Sequence, residues 1–82
     1  MSVSGPKDVR RQNRRRRIGS QLARARKQAG YSQTRFADLL EIGRATLSRY
    51  ERGELAIPAD ILAEALDEFP GATAEDFLGG RA

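Results

Sequence analysis

Arg44, Ala45, Ser48, Arg49 and Arg52 lie close together in the chain. On a helix they share one face, which is small, hydroxyl-bearing and rich in guanidinium donors. Such a face suits the edges of bases and the oxygens of phosphates. Arg presents a planar fork to paired acceptors, while Ala and Ser leave room for close approach. Bond-making chemistry has little to work with. The 82 residues include no histidine and no cysteine, so the commonest general base, the commonest metal ligand and any thiolate or disulfide are missing. The carboxylates show no nucleophile–base arrangement and no metal spacing. The sequence therefore predicts no catalytic residue, no metal and no cofactor, and the chain does not read as an enzyme.

The elements that must hold this face in place are short. Phe36, Ala37 and Leu40 share one side of a helix predicted over residues 33–40, and Leu47 and Tyr50 share one side of a second over 44–52. The connection Leu40-Glu41-Ile42-Gly43 is too brief to wander, so the two helices must cross closely, and Ala37 supplies a small side chain at the crossing. A first helix over residues 16–29 turns Ile18, Leu22, Ala25 and Ala29 inward and stops at Gly30. Ser32 caps the second helix. A fourth, over 59–69, has Ile61, Leu62, Ala65, Leu66 and Phe69 inward, and Pro70-Gly71 breaks it. Thr73 caps a short fifth helix over 74–78. Tyr50 reads as core rather than as a stacking platform.

The segment from Ile18 to about Leu78 resembles the Cro/phage-repressor (xenobiotic-response-element-type) helix-turn-helix family. Gln33, Ala37, Ile42, Leu47, Tyr50 and Glu51-Arg52-Gly53 stand where that family's pattern has its Gln, small, apolar and Glu-x-Gly positions. Two residues depart from it. Glu41 replaces the usual glycine of the turn, which costs on the order of 1 kcal/mol if φ is positive there. Gly43 replaces the usual Ser or Thr cap, at a few tenths of a kcal/mol. The resemblance implies an all-α, compact five-helix, lambda-repressor-like domain whose helices 2 and 3 form the helix-turn-helix. It implies base contacts from Arg44, Ala45, Ser48 and Arg49, and phosphate contacts from Gln33, Thr34, Arg26 and Arg52. It also implies a structural pair, Arg26 with Glu51, between the first helix and the end of the third.

Charge is unevenly spread. Residues 1–17 carry Lys7 and six arginines against Asp8, a net +6; residues 18–57 carry +3; residues 58–82 carry −5. Residues 1–15 have almost nothing apolar to bury and read as a basic, flexible arm. Asp8 allows a helical extension within them. Residues 16–78 form the domain, and 79–82 a frayed tail. Arg14, Arg15, Arg16 and Arg17 are placed on phosphates by this density of charge, while the acidic end points away from the polyanion.

The function expected is sequence-specific binding of double-stranded DNA by a transcriptional regulator, a repressor, that reads a short half-site with its third helix. One such domain reads few base pairs. A homodimer on a palindrome, with half-sites about one helical turn apart, is the simplest source of specificity. Two other classes stay open. Family members also serve as antitoxins or adaptors, and acidic helices 4 and 5 suit a protein partner; the Arg-rich arm suits RNA. No apolar run is long enough to cross a bilayer and no secretory h-region opens the chain, so a cytoplasmic, nucleoid-associated protein is expected.

Overall fold

The structure is a computed structural model and describes residues 6–71. These form four helices, α1 (Pro6–Gln28), α2 (Gln33–Leu39), α3 (Arg44–Glu51) and α4 (Ala59–Asp67), with no strand among the described residues. The fifth helix expected at 74–78 and the tail at 79–82 lie outside the described residues.

Helix α1 begins ten residues earlier than the apolar stripe predicts. Proline suits a first helical position, Asp8 stands in the first turn where the helix dipole favours a carboxylate, and Arg and Gln are good helix formers. Residues 6–15, expected as a flexible arm, are thus the first turns of a rod of 23 residues, about 35 Å long at the α-helical rise.

The core lies where α1, α2, α3 and α4 meet. Leu22, Phe36 and Leu47 are fully enclosed, joined by Ala37, Leu40, Tyr50, Leu62, Ala65 and Phe69. Phe36 sits between Tyr31, at a ring separation of 5.5 Å, and Phe69, stacked at 5.3 Å. Each such aromatic or leucine side chain contributes about 1.5–3 kcal/mol by leaving water. Ala29, placed inward by its spacing, is instead exposed in the turn after α1.

Helix α3 packs on both α1 and α2. At the α1 crossing there is no room for a side chain. A Cβ on Gly19 would overlap the carbonyl oxygens of Tyr50 and Glu51, so the two backbones meet directly. Helices α2 and α3 end alike. Ile42 N donates to Ala37 O and Glu41 N to Asp38 O; Glu54 N donates to Arg49 O and Gly53 N to Tyr50 O. Both pairs are Schellman closures, which need a left-handed residue after the cap. Gly53 fills that position at φ +74, and Glu41 fills it at φ +56, the strained turn the sequence anticipates.

Candidate nucleic-acid interface

Three helices converge on one carboxylate. Glu51, in the last turn of α3, accepts from Arg26 Nε at 2.7 Å and Nη2 at 3.1 Å, and from Gln33 Nε2 at 2.9 Å. Arg26 Nη1 donates to the Tyr31 carbonyl at 2.7 Å. The Arg26 and Glu51 side chains are 8% and 6% exposed. The pair expected from the resemblance is therefore present, and it is buried. Three donor nitrogens of Arg26 are engaged inside the protein, so Arg26 does not present a fork to a phosphate. Gln33 is half-buried at the start of α2, beside exposed Thr34, with its amide already on Glu51. Ser32 caps α2, its Oγ accepting from Arg35 N at 3.1 Å.

This network fixes the angle of α3 and leaves its outer face open. Arg44 and Ala45 are exposed in its first turn, Arg49 is exposed further along, and Ser48 is half-buried between them. Arg44 is a cation at the positive end of a helix, where an acid would be preferred and none stands. Helix stability gives no reason for it. At the other end, Arg52 Nη1 donates to Ser48 Oγ at 2.9 Å, so the Ser48 hydroxyl is tied to its own helix. Arg52 Nε and Arg49 Nε lie 2.7 and 3.6 Å from the Glu54 carboxylate. The hydrogen bond from Arg52 is the main cause holding the Glu54 carboxyl below its usual range.

The arginine run does not form one surface. Arg10, Asn13, Arg14 and Arg17 share one side of α1. Arg11, Arg14, Arg15 and Ile18 border a groove of about 300 Å³ floored by Leu55, Ile57 and Leu62. Arg15 is half-buried there, its Nε shielded from solvent without an acceptor. The Arg16 backbone lies against Gly53, just past the end of α3. Arg14, Arg16 and Arg17 remain exposed. The basic half of α1 thus passes the C-terminal end of α3, whereas Arg44 stands at the opposite end.

Sequence reasoning missed Arg24 and Lys27. Both are exposed on α1 and border a hollow that reaches Glu51. Their three-residue spacing on the side away from the apolar stripe was the signal. Glu54 was missed too, although it directly follows the Arg-Gly that closes α3. Among the described residues no group of three His, Cys, Asp or Glu side chains is placed to hold a metal ion, and no helix is long and apolar enough to cross a membrane.

Two short helices, α2 and α3, packed on each other across the four-residue turn 40–43, with a small and basic face of α3 outward, have the arrangement of a helix-turn-helix. A family model described as Helix-turn-helix (HTH_3) matches residues 22–77. The chain belongs to this family. The family is that of Cro/C1-type DNA-binding transcription regulators, and the matched span takes in α2, α3 and α4 with the last two turns of α1. No curated protein and no solved structure is significantly similar to the chain.

Proposed function

We propose that this helix-turn-helix chain is a sequence-specific regulator that represses transcription by holding a short DNA half-site in the grasp of α3. The observation that carries the reading is the Arg26–Glu51–Gln33 network, which stiffens α3 while leaving Arg44, Ala45, Ser48 and Arg49 outward. Arg44 and Arg49 supply forks for guanine or for flanking phosphates. Ala45 and Ser48 permit the close approach that base contact needs. Gln33, Thr34 and Arg52 from the motif, with Arg14, Arg16 and Arg17 from α1, set register on the backbone. Arg24 and Lys27 join them.

A single α3 spans too few base pairs for useful discrimination, so the functional unit is a homodimer on a palindrome, working at the nucleoid in the cytoplasm. Selection of bound duplexes from a random pool tests both statements together. A recovered inverted repeat with half-sites about one helical turn apart is expected. A pool that yields no enriched motif would show that α3 does not read sequence.

A further inference from the structure

We propose that the Glu54 carboxylate is an intramolecular stand-in for a DNA phosphate, occupying Arg49 and Arg52 in the free protein and displaced when DNA binds. The inference rests on the DNA-binding reading above and adds to it a built-in brake on affinity for DNA of any sequence.

The position of Glu54 is fixed by the backbone. The left-handed turn at Gly53 folds the chain back, and Glu54 N donates to Arg49 O at 2.9 Å, which holds the residue beside the last turn of α3. Its two oxygens meet Arg52 Nε at 2.7 Å and Nη2 at 3.3 Å, a fork-to-fork pairing of the kind Arg also makes with phosphate. Arg49 Nε stands 3.6 Å away. A carboxylate at a helix C-terminus faces the negative end of the dipole, so α3 itself disfavours it; the two arginines are what hold it. Glu51, the neighbouring acid, is unavailable for this role because Arg26 and Gln33 occupy it. Arg49, Arg52 and Glu54 are each about half exposed, at 52%, 58% and 48%. Pairs so exposed open readily, and the duplex offers one phosphate charge per ~1.7 Å to take the carboxylate's place.

The test is duplex binding by the full chain and by Glu54→Gln, measured by fluorescence anisotropy on a random-sequence duplex across a salt series. Removing one negative charge from the contact should steepen the slope of log affinity against log salt by about 0.9. At 0.1 M salt that corresponds to binding about eightfold tighter, taking 1 M as the point where the effect vanishes. In an Arg49→Gln/Arg52→Gln background the same substitution should change affinity by no more than about twofold, because one charge then lacks its partners. Unchanged or weaker binding by Glu54→Gln overturns the proposal. So does an equal gain in the double-Gln background, which would reduce Glu54 to its net charge. A wild-type chain that binds no duplex removes the DNA-binding reading and this inference with it, and that result is seen before any variant is compared.

Discussion

Arg26 and Glu51 meet through two hydrogen bonds, of 2.7 and 3.1 Å, across 25 positions of sequence, with both side chains less than a tenth exposed. The pair joins the last turn of α1 to the last turn of α3, and Gln33 brings the start of α2 to the same carboxylate. What it fixes is orientation: the direction in which α3 presents Arg44, in its first turn, and Arg49 depends on a contact made in its last turn.

Breaking this pair should act through folding. Arg26→Gln or Glu51→Gln leaves a buried charge without its partner and should cost about 3–5 kcal/mol in urea denaturation. The double variant should recover part of the loss. Additive single losses in a double-mutant cycle would mean that the two groups do not stabilise each other.

Gly19 is expected to tolerate no side chain. Its Cβ would fall on the Tyr50 and Glu51 carbonyl oxygens, so Gly19→Ala must push α1 away from α3. A loss of about 1–3 kcal/mol or more is expected, although alanine is the better helix former. A more stable Gly19→Ala variant in thermal melts would contradict this crossing.

Tyr31 donates its hydroxyl to Glu68 Oε1 at 3.0 Å, and this hydrogen bond is the main cause holding the phenol above its ordinary value. A raised folded-state pKa means that the stabilisation is complete below the unfolded value, near 10, and is lost as pH rises through the folded one. The melting temperatures of wild type and Tyr31→Phe should therefore differ at pH 8 and converge above pH 10. A difference that stays constant through pH 11 would contradict the bond.

Replacing Arg10, Arg14 and Arg17 with Gln should leave the melting temperature unchanged, since all three are exposed on one side of α1. If each lies on a phosphate, the salt slope of DNA binding should flatten by about 2.7, at 0.9 per contact. A lower melting temperature with an unchanged slope would make this half of α1 a packing element instead.

The helix-turn-helix was legible because its core obeys short periodicities. Phe36, Ala37, Leu40, Leu47 and Tyr50 are all buried where their spacing puts them, and Glu41 takes the positive φ that its place in the turn demanded. The start of α1 was only partly legible: Asp8 allowed a helical extension, but a helix made of arginines has no apolar stripe to announce it. Gly19 carries no side chain, so periodicity is blind to it; only the cost of a glycine inside a helix hinted at a close approach. The full engagement of Arg26 inside the protein was hidden for another reason. The family resemblance implies that Arg26 meets Glu51, but only in the folded chain do the Tyr31 carbonyl and Glu51 together occupy its three guanidinium nitrogens. Arg15 likewise turns into the groove beside Leu55 and Ile57, which lie some forty residues later in the chain.

Whether α3 reads base edges is tested most directly at Arg44. It is exposed in the first turn of α3, and the helix dipole there disfavours its charge. Affinities of wild type and Arg44→Ala should be compared on the selected half-site, on each single-base variant of it, and on random duplex at one salt concentration. Arg44→Ala should lose about 1–3 kcal/mol on the selected site and relax preference at one base position. On random DNA only the smaller loss of a lost charge is expected. An equal loss on every sequence, with all base preferences intact, would make Arg44 a phosphate contact and contradict base reading by α3 at that position.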